Sequence, residues 1–442
     1  MKPVYRSYSN HNYRKISQID KLSPSDLEAI DVVGSVLPFK TNNYVVDQLI
    51  NWDDAPNDPI YTLNFPRKEM LEDAYYDEMA ALLKREASRN EIQTAANDIR
   101  LKLNPHPAGQ MMNIPEIDGV KLPGAQHKYR ETMLFFPSQG QTCHAYCTFC
   151  FRWPQFVGMN ELKFAMKETD VLVNYLKAHR EVTDVLFTGG DPMIMKTKML
   201  RAYIEQLLDD ELYNVQTIRI GTKALAYWPY RFTHDDDADD LMQLFEMVTS
   251  KGKNLSIMAH FNHPVELKTD AVKEAIQRLR NVGAQIRTQS PLLRNINDSA
   301  ELWSDMWRTQ VNLNCIPYYM FVERDTGSKN FFELPLVEAW QIFREAYKNV
   351  SGVCRTVRGP SMSANPGKVQ VLGVSEVNGE KVIVLRFLQG RDPDWVGRPF
   401  FAKYDEQATW LHELEPAFGE KEFFFERELN QLLEEKKERL AV

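Results

Sequence analysis

The 442 residues are 43% hydrophobic and 26% charged, the balance of a globular chain long enough for one large domain with additions or two to three ordinary ones. A formal net charge of -8, with basic residues scattered along the chain, argues against a nucleic-acid partner, which needs a clustered basic surface. No run approaches about 18 apolar residues, and the amino-terminal MKPVYRSYSNHNYRK has no leader-like apolar core, so neither a membrane partner nor secretion is expected and the protein reads as cytoplasmic.

Residues 1–124 read as a helical amino-terminal extension, with patches such as RKEMLEDAYYDEMAALLKREAS, that ends in the proline-marked linker LNPHPAGQMMNIPEIDGVKLPG. Over 125–370 a different rhythm follows. The short β-rich runs TMLFFP, TDVLFT, QTIRIG, LSIMAHF, AQIRTQ and CIPYYMFV alternate with amphipathic stretches of helical length. Six strand-then-helix units in succession imply an α/β fold with a parallel sheet. A partial (β/α)6 barrel fits better than an open sheet, because a polar segment follows each strand, where barrels place their active sites. These segments are the cysteine cluster, GGDP, GTK, HFNHP, QSPLLR and ERDTG, and all are expected to meet at one rim. A β-rich run, GVCRTVRG, leads to SANPGKVQVLG. Residues 371–442 form a small carboxy-terminal region with the strand-like KVIVLRFL and a charged terminal helix, EKEFFFERELNQLLEEKKERL.

The chain has five cysteines, and three of them, Cys143, Cys147 and Cys150, fall in CHAYCTFC. In a reducing compartment such a cluster points to metal or catalysis rather than to disulfides. Three thiolates can bind three irons of a [4Fe-4S] cubane and leave the fourth iron open to another ligand. Zinc is the alternative, but a closed structural site wants four ligands, and His144 lacks a usual zinc spacing. In GGDP, Gly189 and Gly190 permit close approach of a ligand to backbone, a plain turn being the alternative. Asp191 reads either as an acceptor for a ligand ammonium or as a helix cap.

The sequence resembles the radical S-adenosylmethionine enzymes, whose signature is C-x3-C-x2-C with an aromatic or imidazole residue, here Phe149, before the last cysteine. LFTGGDP, IRIGT, HFNHP, QSPLLRNIND and PYY, in that order, sharpen the resemblance to the lysine 2,3-aminomutase family over roughly residues 125–390. The resemblance implies that S-adenosylmethionine chelates the open iron beside Gly189, Gly190 and Asp191. It makes Gln289 a contact of the nucleoside or substrate, and His260 and His263 pocket and packing residues. Lys368, in SANPGK, stands where the family attaches pyridoxal 5'-phosphate, and a desolvated lysine is suited to that role. There are departures. The family's glycine-rich run is reduced to ANPG, its phosphate-contacting arginine falls at Thr132 or, with a small shift, Arg130, and Phe321 replaces a tyrosine. The family's structural zinc site is missing, since Ser299 replaces its cysteine and no cysteine follows Cys354.

Arg152 matches the family arginine that holds the substrate carboxylate, a task suited to a bidentate guanidinium. The two aspartates that grip the far ammonium of lysine are replaced by Arg324 and Ser361, and Arg355 and Arg358 add positive charge nearby. This exchange favours an acidic substrate, although a one-residue slip to Asp325 restores an acid. The expected activity is that of a radical, pyridoxal phosphate-dependent 2,3-aminomutase, an isomerase moving the α-amino group of an acidic amino acid such as glutamate to its β carbon. The alternatives are a radical enzyme that has lost pyridoxal phosphate, an aminomutase acting on lysine or another basic amino acid, and a non-catalytic metal-binding scaffold. An electron donor such as flavodoxin or ferredoxin and a homo-oligomeric state are further expectations.

Overall fold

The computed structural model describes residues 2–104, 111–158, 164–167 and 169–441. The PHPAGQ stretch of the proline-marked run lies outside the described residues. One eleven-stranded sheet organises the molecule, and its strands are neighbours in chain order. They are β1 (Ala125–Tyr129), β2 (Thr132–Phe135), β3 (Asp184–Phe187), β4 (Thr217–Thr222), β5 (Asn254–His260), β6 (Gln285–Leu292), β7 (Ile316–Val322), β8 (Arg358–Ser363), β9 (Gly367–Val377), β10 (Glu380–Gly390) and β11 (Pro399–Lys403). Strands β2 to β8 are parallel, and antiparallel strands extend both edges.

Each of β2 to β7 is followed by one helix of eight residues or more, in order Asp170–Ala178, Thr197–Ile204, Ala238–Ser250, Asp270–Asn281, Ala300–Asn312 and Leu336–Lys348. The expected (β/α)6 partial barrel is therefore present. Period-two alternation decides which side chains the helices cover. In β4, Ile218 and Ile220 are fully buried on the helix side, while Arg219 points inward and pairs with Asp184 at 2.6 Å. A seventh parallel strand, β8, was not anticipated. GVCRTVRG begins as a tight turn at Gly352–Cys354 and turns extended only at Arg358. Lys368 lies in a strand, second in β9, rather than in a turn.

The β9 strand runs across residue 370 and carries the sheet into the carboxy-terminal region, which has its own apolar cluster of Val369, Val371, Leu385, Phe387, Trp395 and Phe400. The aromatic run Phe423–Phe425 joins this cluster ahead of the terminal helix Glu426–Ala441.

The amino-terminal segment carries several helices. Pro24–Val36 and Arg89–Lys102 both begin with a capping box, Ser23 with Asp26 and Ser88 with Glu91. Its docking is the unexpected part. Lys40–Asn42 and the turn before Phe65 lie directly on the cysteine loop. No helix among the described residues is long and apolar enough to cross a membrane.

Candidate active site

The cysteine loop leaves the carboxyl end of β2, and neighbouring segments hold it from both sides. On the amino-terminal side, Lys40 Nζ donates to Cys143 O at 2.7 Å, Tyr5 Oη to His144 O at 2.7 Å and Asn42 Nδ2 to the same carbonyl at 3.2 Å. Tyr146 N donates to Lys40 O at 2.7 Å, and Thr148 N to Leu63 O at 3.0 Å. The loop's polar backbone is thus satisfied by a segment a hundred residues away in sequence. An irregular loop needs such external partners, because it has no ladder of its own.

Cys143, Cys147 and Cys150 are free thiols on this loop. Burial pushes Cys147 up to about 12 and Cys150 to about 11, and it raises Cys143 well above its ordinary value, with Asp191 and the other two sulfurs adding to the effect. A metal bound here would have to displace protons from all three. Among the described residues no three His, Cys, Asp or Glu side chains are grouped to hold a single metal ion. Three partly buried thiols on one loop offer one ligand to each of three irons of a cubane. His144 is buried and its imidazole is pulled down to about 3 by that burial. Phe149 packs edge-on against Phe332, with ring centroids 6.4 Å apart.

The GGD turn after β3 is wedged under this loop. Gly190 N and Asp191 N donate to Gly140 O at 3.0 and 3.1 Å, and Asp191 N also reaches Thr142 O at 2.8 Å. A Cβ on Gly190 would stand 2.5 Å from Thr142 N and 2.6 Å from its O, and one on Gly189, whose φ is +141°, would meet the Gln141 side chain at 2.4 Å. The glycines thus give the cysteine loop room to pack. Gly190→Ala is expected to push the loop off its seat and to lose most of the cluster on anaerobic reconstitution, read as iron and sulfide per chain. Retention of about four of each would show that the loop can yield.

Asp191 is 3% exposed, and protein donors occupy its carboxylate. Thr222 Oγ1 donates at 2.7 Å, Met193 N at 2.9 Å and Lys223 N at 2.9 Å. Burial raises it to about 6 in spite of these bonds. Of the two readings of Asp191 the structure shows the cap: it caps the Pro192–Ile194 turn and ties β3 to the end of β4. Gln289, on the inner face of β6, donates to His260 Nε2 at 2.6 Å, and burial pulls His260 down to about 3. His263 caps the Pro264–Leu267 turn.

Arg152 and Arg324 come together although 172 positions separate them in sequence. Each guanidinium lies 5.1 Å from the centroid of the Phe151 ring, so the two are within about 10 Å of each other. The loop after β7 is held there by Trp153 Nε1 donating to Thr326 Oγ1 at 3.1 Å and by Ser328 Oγ donating to Thr148 O at 2.8 Å. Gly327, at φ +68°, would bring a Cβ to 3.0 Å from Trp153. Burial pulls Arg152 down to about 10 and lowers Arg324 as well. Arg152 Nη1 and Arg324 Nε are both buried without a hydrogen-bond partner. Ser361 does not share this place. It is 0% exposed and donates to Met320 O at 3.4 Å, so the structure removes it from the substrate contacts. Arg355 also lies apart, donating to Val350 O at 3.0 Å beside Tyr347.

Lys368 is not on the cysteine rim. It lines a cavity of about 470 Å³ toward the starting ends of the strands, with Thr132, Asp184 and Arg358, the first residues of β2, β3 and β8, in its wall. Lys368 Nζ sits 4.1 Å above the Tyr319 ring, and burial pulls its amine down to about 8. Arg130, Arg219 and Arg358 line the same cavity. The volume suits a small cofactor, the cations suit its phosphate and the depressed lysine suits its aldehyde. Both candidate positions for the phosphate contact, Thr132 and Arg130, open onto it.

Lys128 takes a position that the strand pattern alone does not give. Its neighbour His127 faces outward, 2.8 Å from Tyr175 Oη on the helix after β2. A register shift between His127 and Tyr129 makes Lys128 a bulge residue, so Lys128 donates inward to Ala364 O while Tyr129 still lines the cavity. A bulge leaves no mark in a single sequence.

No protein-family model matches the chain. Among curated proteins, a putative L-lysine 2,3-aminomutase of Aquifex aeolicus is 30% identical over 396 residues, covering 89% of this chain and 92% of the relative. The chain belongs to the lysine 2,3-aminomutase family. This family is a group of radical S-adenosylmethionine isomerases, and a [4Fe-4S] cluster, S-adenosylmethionine and pyridoxal phosphate are its cofactors. The L-lysine 2,3-aminomutase of Acetoanaerobium sticklandii is 26% identical over 309 residues, 70% of this chain and 71% of the relative. That of Clostridium subterminale is 26% identical over 298 residues, 67% and 68%. Among solved structures, Streptococcus suis SuiB bound to its precursor peptide SuiA superposes with a TM-score of 0.35 at 13% identity, over 61% of this chain and 56% of that one.

Proposed function

We propose that this family member is a pyridoxal phosphate-dependent 2,3-aminomutase acting on an acidic α-amino acid, with glutamate as the leading substrate. The observation that carries the reading is the pair of half-buried guanidinium groups, Arg152 and Arg324, flanking Phe151 with unpartnered N–H atoms. Buried donors without partners are costly, and a ligand with a carboxylate at each end would give each of them an acceptor. Arg152 takes the α-carboxylate and Arg324 the side-chain carboxylate. A lysine ammonium there would meet like charge and lose its hydration with nothing in exchange.

When bound, the cluster with S-adenosylmethionine supplies a 5'-deoxyadenosyl radical, and pyridoxal phosphate carries the migrating nitrogen. The chain contributes placement. Cys143, Cys147 and Cys150 would hold the cluster at the carboxyl rim, and Lys368 offers an amine that burial brings down to about 8, so that far more of it is neutral than in an exposed lysine. The two arginines orient the substrate between these groups, and the aromatic floor of Tyr319 and Phe321, stacked at 4.9 Å, excludes water.

One observation favours a second reading. Asp325 is close enough to Arg324 for its charge to act on the guanidinium, and an acid in that position can serve a basic substrate. The test is an anaerobic panel of free amino acids with the reduced, reconstituted protein and S-adenosylmethionine, read by mass spectrometry for β-amino products. Glutamate is expected to give the largest yield. Conversion of lysine alone would overturn the acidic reading and install Asp325 as the contact.

A further inference from the structure

Tyr227 ends the short helix Ala224–Tyr227 that follows β4, and it is 1% exposed. Its hydroxyl oxygen stands 3.9 Å from Cys147 Sγ and accepts a hydrogen bond from Asn64 Nδ2 at 3.3 Å. A cysteine that ligates iron has given up its proton and can only accept. With the asparagine N–H already directed at the tyrosine oxygen, the phenolic hydrogen is left for the sulfur. We propose that Tyr227 donates a hydrogen bond to the cluster-ligating sulfur of Cys147 and so raises the reduction potential of the cluster, as a positioning residue that touches no reacting atom.

The physical reason is charge. Reduction adds an electron to a cluster already surrounded by thiolates, and a donor on one sulfur stabilises that added charge. Lys223 strengthens the donor. Its ammonium lies 4.3 Å over the Tyr227 ring, held there by Asn262 Oδ1 at 2.6 Å and Glu266 Oε1 at 2.7 Å. A cation on the ring face draws electron density from the phenol and leaves its O–H more polar. Asn64 belongs to the amino-terminal extension, at the end of the helix Pro59–Asn64, so the bond also links that extension to the cluster electronically.

The test is an EPR-monitored redox titration of anaerobically reconstituted wild type and Tyr227→Phe, with iron and sulfide content measured on the same samples. Phenylalanine keeps the ring beneath Lys223 and removes only the hydroxyl. The expected result is a full cluster, a midpoint potential shifted to a more negative value, and slower S-adenosylmethionine cleavage at a fixed applied potential. A full cluster with an unchanged potential overturns the proposal. Should Tyr227→Phe fail to hold a cluster, the double variant Lys223→Gln with Glu266→Gln decides. It removes the stacked cation together with its counter-charge and leaves the hydroxyl, so a smaller negative shift supports the proposal and no shift overturns it.

Discussion

Arg324→Asp is expected to lose glutamate turnover almost completely. The substitution sets a carboxylate against the substrate's own in a half-buried place, and like charges so placed cost several kcal/mol, which at about 1.4 kcal/mol per tenfold means a loss of roughly 100-fold to 1,000-fold in kcat/KM. A neutral amino acid, with no charge at that end, should lose far less. Lysine should gain measurable turnover, since the exchange places an acid where its ammonium would sit. Ser361 is fully buried and its hydroxyl donates to Met320 O, so Arg324 alone is changed. The measurement is kcat/KM for glutamate, a neutral amino acid and lysine in both proteins. Equal losses for all three would mean that Arg324 only holds the loop after β7 and does not read the side chain.

Lys368→Ala separates the two halves of the chemistry. The cysteine loop lies at the carboxyl ends of the strands and the Lys368 cavity toward their starts, so the variant should keep its cluster and its uncoupled cleavage of S-adenosylmethionine while amino migration stops. Borohydride should fix pyridoxal phosphate to residue 368 in wild type and not in the variant. The pH dependence carries a sign of its own. Burial pulls the amine from 10.5 down to about 8; the charged form prevails below that value and cannot attack an aldehyde, so the rate of cofactor capture should rise with pH, reach half its maximum at about pH 8 and level off above it. An exposed lysine would keep rising well beyond it. Unchanged amino migration in Lys368→Ala would take pyridoxal phosphate out of the mechanism.

Some of this protein was legible in one dimension. C-x3-C-x2-C is a local pattern, and its meaning needs only the preceding strand; the six strand-helix units follow from periodicities of two and 3.6 residues. The aromatic terminal run is equally local. Other features depend on contacts between residues far apart in the chain. That Gly190 gives way to Thr142, that Lys40 and Tyr5 bind the carbonyls of Cys143 and His144, and that Tyr227 reaches Cys147 all follow from packing between segments 40 to more than 100 residues apart. Asp191 looked like a ligand because an exposed and a capped aspartate are the same letter; Thr222, Met193 and Lys223 decide between them by filling its oxygens. Ser361 was placed by its match to a family aspartate and Arg355 by its charge nearby in the chain, whereas only packing shows that the first is fully buried and that the second donates to Val350 O. The meeting of Arg152 with Arg324 over Phe151 is of the same kind. The sequence by itself determined the barrel and the family; only the tertiary structure decided which charged groups are buried and which have their hydrogen bonds filled, because desolvation and hydrogen-bond saturation are properties of a site and not of a residue.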